Sequence, residues 1–198
     1  MERTTSSSAG QVDAEEETSQ AKTDHQRKIV ELLDSNSISY RLLHHEATPT
    51  SEDSARARGE DLSTGGKAIV LKIREATADA DEVAGDGNGD TGFALFVLSA
   101  SRKLHTKSIK KELGTKRIRF ATADELAELT GGLVPGSVPP FGRPIVPTLD
   151  LFVDTSIGSS DGAKIAFNCG SLTSSIVMDA ADYLRVAEPA GIFSFSKE

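Results

Sequence analysis

Two stretches of this 198-residue chain carry residue types that could act on a bound group. The first is Lys67, which follows Gly65 and Gly66 and opens the apolar run KAIVLKI. A lysine at the start of a strand, directly after two glycines, can extend its ammonium into a cleft. There it would neutralise a phosphate or a carbonyl oxygen; the alternative is an ordinary strand-end lysine. The second is GGLVPGSVPPFG, Gly131 to Gly142, with four glycines and three prolines in an apolar setting. Five of the chain's seven prolines fall between Pro135 and Pro147. Proline fixes φ and glycine permits close backbone approach, so this pattern specifies a rigid loop of defined shape.

Other chemistries fail on spacing. Gly87, Gly89 and Gly92 form a Gly-x-Gly-x-x-Gly pattern, but it leads into a strand, so a pyrophosphate would have no helix N-terminus to meet. Asp86, Asn88 and Asp90 have calcium-loop spacing, yet the sixth position is not glycine and Val97 stands where the bidentate glutamate belongs. Gly65-Gly66-Lys67 lacks the remainder of a P-loop, with Ala68 after the lysine and Asp61 at the first glycine position. His44 and His45 are adjacent and would face opposite sides of a strand, while His25 and His105 lie elsewhere, so neither a metal site nor a cofactor is expected. There is no Gly-x-Ser-x-Gly elbow, and Cys169, the single cysteine, has no evident partner histidine. Its plain role is a small buried hydrophobe.

The strongest charge feature is SRKLHTKSIKKELGTKRIR. Arg102, Lys103, Lys107, Lys110, Lys111, Lys116, Arg117 and Arg119 face only Glu112 as a counter-charge within it. Such a surface suits a nucleic-acid backbone, whose neutralisation releases counterions, or else is simply a solvated face. Few aromatics interleave with these bases, which disfavours single-strand stacking.

The elements that must position these residues follow from periodicity and turn signals. A helix is predicted over 24–36, where Ile29, Leu32 and Leu33 share a face, then a strand in ISYRLL with Ile38, Tyr40 and Leu42 alternating. A short capped helix in TSEDSARARG ends at Gly59. KAIVLKI (67–73) and FALFVLS (93–99) are predicted to pair as a hairpin. A helix over 106–113 precedes the strand RIRF, and Thr122 with Glu125 spells a capping box for a helix to about Leu129. TLDLFVD, KIAFN and SSIVM are further strands, and 179–186 a last helix. Helices and strands mix without strict βαβ alternation. That predicts a single compact α+β domain with a mixed, mostly antiparallel sheet flanked by helices.

Composition limits the alternatives. Residues 1–24 form a polar acidic stretch expected to be a disordered tail, leaving 25–190 as the domain, with 74–92 an acidic, glycine-rich loop insertion. The tail carries −4 and the loop −5 of a total of −8, so the remaining chain carries +1 and is not acidic. An overall pI near 5.1 therefore does not exclude a nucleic-acid partner. No apolar run reaches transmembrane length, the N-terminus lacks an apolar leader, and one cysteine allows no intrachain disulfide; a cytoplasmic protein is expected.

Taken in order, GGKAIVLK, FALFVLSASRKLHTKSIKKELGTKRIRFATADELAELTGGLVPGSVPPFG, LDLFVDTSI, IAFNCG and SIVMDAADYL resemble the YbaK/EbsC and prolyl-tRNA-synthetase-associated family of aminoacyl-tRNA editing proteins, over roughly residues 38–187. The resemblance implies a YbaK-like fold and hydrolysis of the ester joining a wrong, small amino acid to tRNA, with tRNA-Pro the expected carrier. It implies catalytic roles for Lys67, which would hold the tRNA 3′ end, and for Gly136, whose amide together with that of Ser137 would face the ester carbonyl. Pro139, Pro140 and Phe141 would shape the side-chain pocket, with Cys169 and Gly170 near it. Cys169-Gly170 stands where some alanine-specific members carry His-Pro, which sets this chain apart from them. Arg102, Lys103, Lys107, Lys110, Lys111, Lys116 and Arg117 would meet the acceptor stem, and an aminoacyl-tRNA synthetase is a further candidate partner; no membrane and no DNA partner is implied. The rival reading is a non-catalytic tRNA- or synthetase-binding module.

Overall fold

The structure, a computed structural model, describes residues 24–74 and 91–198; the acidic tail and the acidic loop expected above fall almost wholly outside them. Helix α1 (24–35) buries Ile29 and Leu33 completely, with Leu32 packed alongside, as its apolar face requires. Strand β1 (Tyr40–His44) follows, two residues later than the alternation implied. In α2 (Ser51–Arg58), the Thr50 hydroxyl caps the first turn by accepting from the Asp53 amide, and Gly59 closes the helix. A 3-10 turn (Leu62–Thr64) leads into β2 (Gly66–Arg74), which pairs antiparallel with β3 (Thr91–Ser99) throughout, as the hairpin expectation required.

Next come β4 (Lys103–Leu104), α3 (Thr106–Glu112), β5 (Arg117–Phe120) and α4 (Ala123–Thr130). The capping box of α4 forms in full: Thr122 Oγ1 accepts from the Glu125 amide, and Glu125 Oε2 accepts from the Thr122 amide. After the Pro/Gly loop come β6 (Asp150–Asp154), β7 (Lys164–Ser171), β8 (Ser174–Asp179) and α5 (Ala180–Ala187), capped by the Asp179 carboxylate. Strands β9 (Gly191–Phe193) and β10 (Ser196–Lys197) complete the chain.

The strands form two main sheets where the sequence pattern implied one. The larger runs β5-β2-β3-β6-β9, with β3–β6 and β6–β9 parallel; the smaller, β1-β8-β7, is antiparallel, and β10 pairs with β4. The α+β class and the mixed, mostly antiparallel pairing match expectation. FALFVL is apolar on both faces for a physical reason. Leu95 and Val97 face the main core shared with β7, β8 and α5. Ala94, Phe96 and Leu98 face a second core under α3 and Phe195.

Besides packing across the main core, the two sheets are joined by one isolated backbone bridge among the described residues. Gly65 makes an isolated parallel bridge to Ala166 of β7. A Cβ on Gly66 would lie 2.8 Å from Ile165 Cδ1, and one on Gly65 would lie 2.8 Å from Ala100 Cβ. The paired glycines before Lys67 therefore let the sheets close, and Lys67 emerges at their seam.

Candidate active site

At that seam lies a cavity of about 110 Å³. Its lining includes Lys67 and Gly136, the two residues assigned catalytic roles from sequence, together with Thr48, Ser51, Arg58, Val138 and Asn168. Among the described residues no carboxylate lines it, so two cations share a small cavity with hydroxyls and main chain. Lys67 Nζ donates to the Arg102 carbonyl at 3.0 Å. Burial lowers the pKa of its ammonium below the ordinary lysine value, and Glu52 nearby acts weakly in the other direction. Arg102 is held in turn: its Nε donates to Ser196 Oγ at 2.7 Å, and that hydroxyl donates to Asp154 Oδ1 at 2.8 Å.

The Pro/Gly loop is a stapled turn. Val134-Pro135-Gly136-Ser137 closes with the Ser137 amide donating to the Val134 carbonyl at 3.0 Å, and Gly136 has φ +88°. Proline second and a positive-φ glycine third are what a type II turn demands. The Ser137 hydroxyl accepts from the Val134 amide and donates to the Val134 carbonyl, so its proton is committed to the turn. Two bonds tie the turn to β7: Gly170 N–H to the Ser137 carbonyl (3.1 Å), and Asn168 Nδ2 to the Gly136 carbonyl (2.8 Å). The β7–β8 register shifts between Asn168 and Ser171, which frees Gly170 from the ladder to reach the turn.

Several expected site residues sit elsewhere. The Ser137 amide is consumed by the turn, so it cannot also face a substrate carbonyl. Of these two amides, only that of Gly136 has no acceptor among the described residues. Pro139 and Pro140 are buried, with the Pro140 carbonyl accepting from Tyr183 Oη. Phe141 packs edge-on against Phe167 and Tyr183 in the core. None of the three lines the cavity; Val138 does. Cys169 is fully buried on the other side of β7 from Asn168, and burial pushes its thiol up to about 12.

Sequence reasoning missed Asn168 and Arg58. Strand alternation one residue before Cys169 could have pointed to Asn168. Nothing local distinguished Arg58 from any base at a helix C-terminus. Its burial pulls the guanidinium down to about 10, and its hydrogen-bond acceptors are Ser175 Oγ (2.9 Å), the Ala166 carbonyl (3.3 Å) and Asn168 Oδ1 (2.6 Å), with no carboxylate among them.

The basic segment divides. Arg102 and Lys103 lie by the cavity end of the larger sheet, and Lys107 and Lys111 are exposed on α3, with Lys116 exposed just beyond it. Lys110 and Arg117 line a separate groove of about 430 Å³ with Lys72, Arg74 and Arg119. Lys72 is registered with Arg119 and Arg74 with Arg117. Like charges set directly across a ladder repel. Glu125 offsets part of this by accepting two bonds from Arg119 and one from Lys72, and Arg119 above all holds its carboxyl far below the usual range. At about 3.3 Å per residue, Lys67 and Lys72 lie ~17 Å apart along β2.

The Aminoacyl-tRNA editing domain family matches residues 45–186, a span that contains Arg58, Lys67, Gly136 and Asn168. The chain is 33% identical over 165 residues to the multifunctional Ser/Thr-tRNA deacylase ProXp-y of Escherichia coli (strain K12), covering 83% of this chain and 89% of that protein. Its fold is similar to that of hypothetical protein APE2540, at TM-score 0.67 and 23% identity, over 86% of this chain and 99% of the other. It is also similar to a structure described as a candidate trans-editing enzyme for prolyl tRNA synthetase, at TM-score 0.66 and 20% identity, over 88% and 97%. This chain belongs to the aminoacyl-tRNA editing domain family.

Proposed function

We propose that the chain is a trans-editing deacylase that hydrolyses the ester between tRNA and a small hydroxylated amino acid, serine or threonine. The observation that carries this reading is the shared cavity. Lys67 and Gly136, whose amide has no acceptor among the described residues, line one small space together with Thr48, Thr50, Ser51 and Ser54. About 110 Å³ admits a side chain of a few heavy atoms, and hydroxyl walls can pair with a substrate hydroxyl.

The ester is already activated, so no enzyme nucleophile is needed. Ser137 is tied in its turn, and Cys169 is buried and protonated. Water adds to the ester carbonyl carbon, and the developing oxyanion is stabilised by the Gly136 amide and the nearby positive charge of Lys67. Collapse breaks the bond to the terminal ribose oxygen, which leaves with a proton as a free hydroxyl, and the amino acid departs as its carboxylic acid. The exposed bases Lys103, Lys107, Lys111, Lys116 and Arg117, with the half-buried Lys110, meet the tRNA stem phosphates, with Arg102 at the cavity rim.

A site that pairs with a hydroxyl discriminates strongly against the analogue without one, because its own polar groups would be left unpaired. Deacylation of Ser-, Thr-, Ala- and Val-tRNA under single-turnover conditions tests the assignment. The expected order places Ser and Thr at least tenfold above Ala and Val. Equal rates for Ser and Ala would overturn the hydroxyl-based selectivity, and absence of any turnover would overturn the deacylase itself.

A further inference from the structure

We propose that Arg58 and Asn168 are positioning residues for the deacylation step, acting through the Gly136 turn rather than on the substrate. The proposal rests on the deacylase reading above. It starts from an oddity: Arg58 is 8% exposed and carries no carboxylate partner among the described residues. A buried cation is costly unless it is hydrogen-bonded and its position is used.

The geometry shows what it holds. Arg58 Nη2 donates to Asn168 Oδ1 at 2.6 Å, and a guanidinium can only donate. Asn168 Nδ2 donates to the Gly136 carbonyl at 2.8 Å, and a carbonyl can only accept. These two partners permit one orientation of the Asn168 amide and forbid its flip. The Ser175 hydroxyl reinforces the same choice, accepting from Arg58 Nε at 2.9 Å and donating to Asn168 Oδ1 at 3.0 Å. His45 Nε2 lies 2.7 Å behind that hydroxyl.

What Asn168 fixes is the peptide after Gly136. With the Ser137 amide bonded to Val134, the Asn168 bond to the Gly136 carbonyl holds the other end of the Gly136–Ser137 peptide. Pinning it sets the turn's tilt, and hence where the Gly136 amide sits relative to a substrate oxygen. Displacing a positioned group by about 1 Å costs on the order of 10²-fold in rate. Three elements far apart in sequence, α2, β7 and β8, thus converge to aim one main-chain donor.

Asn168→Asp is the sharpest probe. It keeps shape and strengthens the pairing to Arg58, but it replaces the donor facing the Gly136 carbonyl with an acceptor. The expected result is a kcat loss of ~30-fold or more with KM within threefold of wild type, and a displaced amide resonance for Gly136 in the 15N spectrum of the folded protein. Arg58→Gln should give a comparable kcat loss, and the double variant should be no worse than about twofold below the poorer single one, because both act on the same turn. If Arg58→Gln fails to fold, Arg58→Lys replaces it and should recover part of the activity. A kcat for Asn168→Asp within threefold of wild type would overturn the proposal, as would an unmoved Gly136 resonance or losses that multiply in the double variant. Failure of the wild type to deacylate any tRNA would instead sink the deacylase reading. The Gly136 resonance would then still decide whether Asn168 holds the turn.

Discussion

Replacing Gly136 by alanine separates the turn's chemical role from its structural one. At φ +88° an L-residue is strained by about 1–2 kcal/mol. Alanine recovers roughly 0.4–1 kcal/mol by restricting the unfolded chain, so a net loss of ~1 kcal/mol is expected. The new Cβ would sit 3.3 Å from Leu172 Cδ2, the tip of a flexible side chain that can yield by a few tenths of an ångström. For a domain of this size the loss corresponds to a Tm decrease of about 2–4 °C. The effect on rate should be far larger, because relief of the strain tilts the turn and with it the N–H proposed as the oxyanion donor, and loss of one such donor costs ~10²–10³ in kcat. The assay pairs thermal melts with single-turnover deacylation of Ser-tRNA. Gly131→Ala provides the control: that glycine has φ +70° at the end of α4, has no atom within 4 Å of a built Cβ and lies outside the cavity lining. It should lose similar stability and keep its kcat. A kcat for Gly136→Ala within threefold of wild type, alongside the expected drop in Tm, would refute the assignment of the Gly136 amide to the reacting oxygen.

Other outcomes follow from the same geometry. Cys169→Ala should cost about 1 kcal/mol of stability and leave kcat within twofold; in native wild-type protein at pH 8 the thiol, pushed up to about 12, should resist iodoacetamide until denaturant is added. Asp154 is buried, which by itself would raise its pKa, but donors from Ser156, Phe195 and Ser196 outweigh this and hold it below the usual 3.8. Its stabilisation is therefore present at neutral pH and is lost as the pH falls through the lowered value. Asp154→Asn should lower the urea midpoint at pH 7 and narrow the gap from wild type near pH 3. Lys110→Glu with Arg117→Glu should weaken tRNA binding and reduce the slope of log K against log salt by roughly 2, while hydrolysis of a minimal aminoacyl-adenosine ester stays unchanged.

Local signals carried much of this fold. The capping box at Thr122 and Glu125, the glycine stop after α2 and the double-faced apolar run at β3 each encode their element within a few residues, and each formed. Lys67 was legible because two glycines precede it, and Gly136 because proline followed by glycine specifies a turn. What stayed hidden depends on distant partners. Arg58 and Ser175 are 117 residues apart, so no local pattern marks that arginine as the support for a turn. The choice between Asn168 and Cys169 was one of strand parity, decided by how β7 pairs with β8 and where their register shifts. Phe141 looked like a pocket wall because it sits in the loop, but its ring is large enough to be drawn into the core with Phe167 and Tyr183. The separation into two sheets rests on which strands pair with which, and alternation within any one strand cannot reveal that.

The most direct test of the central claim is single-turnover hydrolysis of Ser-tRNA and Thr-tRNA by wild type and Lys67→Ala, with tRNA binding measured in parallel. The account predicts rapid wild-type deacylation, a loss of ~10²-fold or more in the variant from removing the cavity's charged donor, and tRNA affinity reduced by no more than about tenfold. Deacylation that survives Lys67→Ala intact, or wild-type protein that binds tRNA without cleaving either ester, would contradict it.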